Sequence, residues 1–189
     1  MIRKTGLWVL MSMVCSLLVA PSVSFAAKKS SLKELEGQSF YTAVNMWYED
    51  PSKMMSTNYH KGQMLPVNTR VTVNTIRKSE ITFSDENVKY VIEIVRKHTP
   101  LPLEDIFKNY FSAKPVDLNR FNGAERKKIA EGSIANGMSR EAVIAAYGYP
   151  PAHMTPSLTG SPWKYWKDRF RNFFVYFSKD GRVVRLGDE

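Results

Sequence analysis

The residues best suited to chemistry in this sequence are its three histidines, His60, His98 and His153. No two of them have the short spacing that places metal ligands together on one helix or strand, so they predict no metal site. The one cysteine, Cys15, lies in an apolar N-terminal stretch and has no second cysteine with which to form a disulfide. We therefore expect no metal, no cofactor and no thiolate chemistry.

The other residue types do not form a catalytic signature. Serines are frequent, but no Gly-x-Ser-x-Gly elbow and no glycine-rich phosphate loop occurs. The adjacent carboxylates Glu49-Asp50 and Asp85-Glu86 stand at turn signals, where acidic residues have structural reasons to occur. The sequence therefore predicts a protein that is not an enzyme and has no catalytic residues. An enzyme that acts on envelope polymer through carboxylates in a groove between two modules is the alternative.

A run of aromatic and basic residues from 163 to 171 is the most distinctive surface candidate. One interpretation places its aromatic side chains in the core and its cations in water, as alternating strands usually do. The other makes it a recognition patch, because Trp, Tyr and Arg dominate interface hot spots. A proline-rich loop, 149–156, precedes the run and is stiff enough to lose little entropy on binding. The candidate binding surface consists of Tyr149, His153, Trp163, Tyr165, Trp166, Arg169, Phe170 and Arg171.

The segment that leads into this run carries strong helix punctuation. Asn136-Gly137 predicts a turn, Ser139 can cap a helix, and Met138 with Val143 has the spacing of a hydrophobic staple. Gly148 fits the left-handed position after the helix, which predicts a helix over 139–147. A capping box at Asn122-Gly-Ala-Glu125 predicts a shorter helix ending at Gly132. Three strands follow, at 163–166, 172–178 and 182–186, the last two joined by the hairpin signal Lys179-Asp180-Gly181.

The first half of the chain predicts a small antiparallel β module over 37–112. Strand-like runs occur at 40–48 and 64–76, and a hairpin is expected from 81–83 and 88–95. The stretch 61–69 is similar to the entry of an SH3-like module. Helical spacing at 103–111 predicts a closing helix, and 112–119 is the expected boundary. The fold class predicted for the whole chain is α+β, with two helices covering one face of a three-stranded meander in 120–189.

Residues 1–26 have the features of a secretory signal peptide. Arg3 and Lys4 precede an apolar stretch, and Ser24-Phe25-Ala26 offers small residues at the cleavage positions. Cys15 lacks a lipobox, so we expect an exported, periplasmic chain with no lipid anchor that is not an integral membrane protein. Removal of Arg3 and Lys4 would lower the formal charge from +9 to +7. In an exported protein this excess favours an anionic envelope component or an acidic protein face over nucleic acid.

The C-terminal punctuation also carries a family resemblance. Its elements are Ile129-x-x-Gly132, Gly137-Met138-Ser139, Val143, Gly148-x-Pro150, an aromatic strand and Asp180-Gly181. Over about 122–187 this pattern resembles the SmpA/OmlA-like family, which includes the small lipoprotein of the outer-membrane β-barrel assembly machinery (BamE-like) and shares its α-α-β-β-β fold with β-lactamase inhibitor proteins. The resemblance implies that fold and a role in protein binding. The lipidated cysteine of the assembly lipoprotein has no counterpart here.

We therefore interpret the sequence as a non-enzymatic exported envelope protein that binds another macromolecule, as an adaptor in envelope assembly or maintenance. A periplasmic inhibitor of an enzyme would keep the same fold and change the partner. The partner is expected to be a protein or an anionic envelope component. The sequence carries no signal for oligomeric state.

Overall fold

The computed structural model describes residues 31–188, so the predicted signal peptide lies outside the described residues. Within this range the chain forms one compact α+β unit with three α-helices and several sheets. This confirms the predicted α+β class. The predicted division into modules at 37–112 and 120–189 stays a prediction.

Seven strands precede the first α-helix in the described chain. They are β1 (Ser39–Thr42), β2 (Met46–Tyr48), β3 (Met54–Met55), β4 (Gln63–Leu65), β5 (Arg70–Ile76), β6 (Glu80–Ser84) and β7 (Lys89–Glu93). Helix α1 (Leu103–Tyr110) and the short strand β8 (Phe111–Ser112) follow. The main sheet has the order β3-β7-β6-β5-β1-β8, and only its β3–β7 pairing is parallel. Strands β2 and β4 pair separately.

Two predicted strands of this half are each divided in the structure. The run at 40–48 breaks at Asn45, so that β1 joins the main sheet and β2 pairs with β4. The run at 64–76 breaks at Pro66, which has no N–H for a ladder, and at Asn68, which has a φ of +67°. Predicted single strands at these two places were therefore wrong. The hairpin of β6 and β7 and the helix α1 were predicted correctly.

The second half contains α2 (Gly123–Glu131), α3 (Arg140–Tyr147), β9 (Trp163–Trp166), β10 (Asn172–Phe177) and β11 (Val183–Asp188). Asn122 and Glu125 form the predicted capping box of α2, and Gly132 ends it in the left-handed conformation. The Ser139 hydroxyl accepts a hydrogen bond from the Ala142 N–H and caps α3, as predicted. Gly148 has the expected positive φ of +81°, but its ψ of −179° makes it extended rather than left-handed helical.

Strands β9, β10 and β11 form an antiparallel sheet in the order β11-β10-β9, called here the meander. Alternate residues of β10 are buried, with Phe173, Val175 and Phe177 on the inner face. These side chains pack in one cluster with Val143 of α3 and Ile129 of α2. The helices of the second half therefore share a core with the meander, while the main sheet and α1 form a separate cluster.

Asn45, in the break between β1 and β2, joins the two halves. Its side chain is 1% exposed, and its amide donates to the Ile129 carbonyl at 2.7 Å and the Ala146 carbonyl at 3.0 Å. Its side-chain oxygen accepts from the Val67 N–H at 2.7 Å. Ile129 and Ala146 lie in the last turns of α2 and α3, where helix carbonyls lack a partner further along the helix. One buried amide therefore binds a carbonyl at each helix end, at Ile129 in addition to the Gly132 N–H.

Candidate functional site

The predicted aromatic and basic surface is divided in the structure. Trp163 is fully buried and Tyr165 is 2% exposed, so neither belongs to a binding surface and both predictions are corrected. Their register explains the burial, because they stand opposite Val175 and Phe173 on the inner face of the meander. The Tyr165 hydroxyl also donates to the Gly148 carbonyl at 2.8 Å, which ties β9 to the end of α3.

Trp166 lies on the outer face of the meander and is half-buried. Its ring centre is 6.4 Å from that of Tyr59 and 6.3 Å from that of His98. Residues of the first half therefore contact the outer face of the meander at Trp166. The buried Trp166 indole N–H has no hydrogen-bond partner within residues 31–188.

Residues 167–171 connect β9 to β10 and are called here the tip segment. Asp168 organises it, because one carboxylate oxygen accepts the N–H groups of Phe170 and Arg171 at 2.8 and 2.9 Å. Lys167 N–H donates to the Arg171 carbonyl at 2.8 Å and closes the turn. In this frame the Phe170 side chain is 84% exposed. The segment thus holds a large apolar side chain in water at a fixed place.

Charge pairing within the tip segment is uneven. The Phe170 N–H and then the Arg171 side chain hold the pKa of Asp168 near 2, so this carboxylate is ionised at neutral pH. Arg171 reaches the second Asp168 oxygen at 2.6 Å, and Lys167 pairs with Asp188 at 2.8 Å. Arg169 forms no ion pair with any described residue, and its guanidinium lies 5.8 Å from the centre of the Phe170 ring. Arg169 therefore leaves an uncompensated positive charge beside the exposed ring.

The remaining two residues of the predicted surface lie outside the tip segment. Tyr149 is half-buried against the cluster of the main sheet, and burial raises its pKa. His153 is half-buried beside His98, with 3.1 Å between His98 Nδ1 and His153 Nε2. The structure therefore brings His153 and Trp166 to the same partner, His98, and leaves Tyr149 in a separate place.

A cavity of about 450 Å³ lies between β2, the ends of α2 and α3, and the meander. Its lining consists of Trp47, His60, Gly132, Ser133, Ile134, Tyr147, Lys167, Phe173, Leu186, Gly187 and Asp188. Burial lowers the pKa of His60 to about 3, and its ring stacks on that of Tyr147. Of the described residues that line the cavity, Asp188 is the one carboxylate, and it pairs with Lys167.

Gly132 also shapes this cavity, in addition to its predicted place at the end of α2. A Cβ at Gly132 would lie 2.6 Å from Met64 Sδ and 2.7 Å from Trp47 Cζ2. The close approach brings the loop after α2 onto the Trp47 indole. The sequence did not predict the cavity, because its lining residues come from distant parts of the chain. It did not predict the role of Asp168 either, because the residues around Asp168 form no recognised motif.

No known protein family, curated protein or solved structure matches this chain. Within residues 31–188, no group of three or more histidine, cysteine or acidic side chains could hold a metal ion. None of the helices in the same range has the length and apolar character needed to cross a bilayer.

Proposed function

We propose that this protein is a non-enzymatic, exported envelope protein that binds another macromolecule, and that the tip segment is its binding element. The observation that carries the proposal is Phe170, which is 84% exposed on a turn fixed by a nearly buried carboxylate. Leaving a whole phenyl ring in water forgoes roughly 1.5–3 kcal/mol of burial. A bound partner would recover part of this free energy.

The rigidity of the tip segment supports the same conclusion. Binding a flexible loop costs entropy for each side chain and backbone residue that becomes ordered. Here Asp168 has already fixed the backbone of Phe170 and Arg171, so much of that ordering precedes binding. An aromatic ring beside arginines is also the composition that dominates interface hot spots.

The charge around the tip segment indicates the class of partner. Residues 161–188 carry seven basic and three acidic side chains. The exposed Arg185 guanidinium lies 3.8 Å from the centre of the half-buried Tyr176 ring. This cation extends the basic character along the outer face of the meander. An acidic protein face or an anionic envelope component would complement this surface.

The 450 Å³ cavity gives no support to catalysis by paired carboxylates. Acid–base hydrolysis of a glycan needs two carboxyl groups facing one substrate, whereas the described lining of the 450 Å³ cavity supplies only Asp188. An enzyme inhibitor would use the same tip segment for binding, and only the partner would differ. The proposed likeness to the SmpA/OmlA-like family is supported by the element order α2-α3-β9-β10-β11.

Export is part of this proposal and rests on the pattern of residues 1–26. N-terminal sequencing of the protein from a periplasmic fraction tests it, with a new N-terminus at residue 27 or 28 as the expected result. An N-terminus at Cys15 carrying a lipid would contradict the absence of an anchor.

Site-specific photocrosslinking tests the binding element directly. A benzoylphenylalanine at position 170 should give discrete crosslinked species in intact cells, because this side chain points into solvent. The matched control is position 179, an exposed residue in the turn at the other end of β10, about 20 Å away. Equal labelling at both positions, or none at 170, would contradict the tip segment as the binding element.

A further inference from the structure

His98 and His153 lie 55 residues apart in sequence, and the fold places their rings together. His98 Nδ1 is 3.1 Å from His153 Nε2, and the ring centres are 4.5 Å apart with an interplanar angle of 50°. His98 belongs to the turn after β7, and His153 to the proline-rich loop after α3. Both side chains are half-buried.

One hydrogen bond fixes the protonation pattern of the pair. His153 Nδ1 is 3.1 Å from the His98 carbonyl oxygen, which can only accept, so this nitrogen carries the proton. In neutral His153 the other nitrogen, Nε2, therefore presents a lone pair toward His98. This arrangement matches a metal-binding histidine, which donates its remote N–H to a carbonyl or carboxylate and turns its bare nitrogen to the ion.

The distance between the ring centres indicates how the two nitrogens face each other. A straight N–H···N hydrogen bond of the observed length would hold the ring centres about 5.4 Å apart. Two imidazoles bound to one ion at about 2.05 Å, with the same separation of nitrogens, would hold them about 4.8 Å apart. The observed 4.5 Å lies nearer the second arrangement. The two nitrogens therefore do not face each other along a straight line, and the separation of the rings fits two lone pairs that meet at one ion.

We propose that His98 Nδ1 and His153 Nε2 bind one divalent transition-metal ion of the kind that prefers imidazole, such as Cu²⁺, Ni²⁺ or Zn²⁺. Two nitrogens bound to one ion at about 2.0–2.1 Å in a tetrahedral arrangement are about 3.3 Å apart, so the observed 3.1 Å requires only a small adjustment. The ion replaces the proton shared between the rings, and that proton moves to His98 Nε2. Water molecules complete the coordination, because no third histidine, cysteine or acidic residue of 31–188 joins the pair.

The surroundings favour neutral imidazole at this place. Burial, then the neighbouring His153 and Lys97, lower the pKa of His98. The Lys97 ammonium opposes a dication, but Lys97 is exposed, so solvent screens most of that repulsion. The affinity of the site should be higher for Cu²⁺ than for Zn²⁺ or Ni²⁺, as at other imidazole sites.

Metal titration of the untagged protein tests the site. Trp166 lies 6.3 Å from His98, so Cu²⁺ bound there should quench its fluorescence with saturation at one ion per chain. Zn²⁺ should bind the same site without quenching and should raise the melting temperature, because it binds the native state. Mg²⁺, which prefers oxygen ligands, should do neither.

Two substitutions and one control variant assign the ion to the pair. His98→Gln and His153→Gln should each weaken Zn²⁺ binding at least about tenfold, since each removes one of two protein ligands. Trp166→Phe should lose most of the Cu²⁺ quenching and keep the Zn²⁺ affinity. Equal Zn²⁺ affinity in the wild type and both glutamine variants would overturn the proposal.

A measurement on the wild type covers the case in which a variant fails to fold. X-ray absorption of the zinc-loaded protein should show two imidazoles bound to the metal together with oxygen. A spectrum with oxygen ligands alone, or no saturable Zn²⁺ binding up to about 1 mM, would overturn the proposal.

Discussion

Residues 163–165 and 167–171 both combine aromatic and basic side chains, but their surroundings are opposite. Trp163 and Tyr165 are buried, whereas Phe170 is 84% exposed. The first stretch is a strand whose register turns its aromatic rings toward α2 and α3. The second is a turn whose direction is set by Asp168. The difference shows that register and turn geometry, rather than composition, decide which aromatic residues are available to a partner.

The largest expected effect comes from truncating the buried stretch. Trp163→Ala should lower the free energy of unfolding by about 3–5 kcal/mol, because it empties a large fully buried volume. Chemical denaturation measures the change, and Tyr176→Ala on the half-buried outer face provides a comparison that should lose less. A loss below about 1 kcal/mol for Trp163→Ala would mean that this stretch is not core.

The Gly148 carbonyl accepts a hydrogen bond from the Tyr165 hydroxyl and so anchors the buried stretch. Substitution of Gly148 should therefore have the next largest effect on the free energy of unfolding. Gly148→Ala should lose about 2–4 kcal/mol, because positive φ with extended ψ is almost restricted to glycine and the new Cβ would lie 2.4 Å from Asn58 Nδ2. Gly137→Ala is the matched control. It shares a positive φ but has no atom within 4 Å of the added carbon, so it should lose only about 1–2 kcal/mol. Equal losses of stability in the two variants would show that the close approach to Asn58 does not contribute to the effect at Gly148.

Acid should weaken the exposed stretch through Asp168. The pKa of Asp168 is lowered to about 2 in the folded protein, against about 3.9 in an unfolded chain. Its ionised form therefore adds stability that is fully present above pH 4 and is lost as the pH falls toward 2. Melting temperatures of the wild type and Asp168→Asn should converge over this interval. A constant difference between them would show that the carboxylate charge does not hold the tip segment.

The smallest effect on stability is expected at the most exposed residue. Phe170→Ala should change the free energy of unfolding by less than about 0.5 kcal/mol, because the ring has little to lose on truncation. The same variant should lose partner capture in a pull-down from the envelope fraction, with Lys179→Ala as the control that keeps it. Marked destabilisation by Phe170→Ala would show that the Phe170 ring is packed against the protein, as the rings of Trp163 and Tyr165 are.

Local signals predicted much of this fold. Helix α3 was found from Ser139 and Gly148, and α2 from its capping box, because caps and turn residues act within a few positions of the chain. The hairpin turn at 179–181 was found for the same reason. Where the sequence carried both a start and a stop signal, the element boundaries agreed with the structure to within a residue or two.

The features that were missed depend on residues distant in the chain. Asn45 interrupts a plausible strand because its partners Ile129 and Ala146 come about a hundred residues later. His98 and His153 meet across 55 residues, so spacing could not have paired them. Two residues of the candidate surface, Trp163 and Tyr165, are buried, and no local signal distinguishes an inward-facing Trp163 from an outward-facing Phe170. Only the register of β9 against β10 separates them.

The position of Asn45 has a consequence for the order of assembly. A chain that emerges from its amino end presents Asn45 long before Ile129 and Ala146 exist to accept from it. The early portion can form β1, β5 and β6 but must leave this amide in water until α2 and α3 arrive. Completion of the first half therefore awaits the second, and a chain truncated before residue 129 should be prone to proteolysis rather than persist as a separate folded fragment.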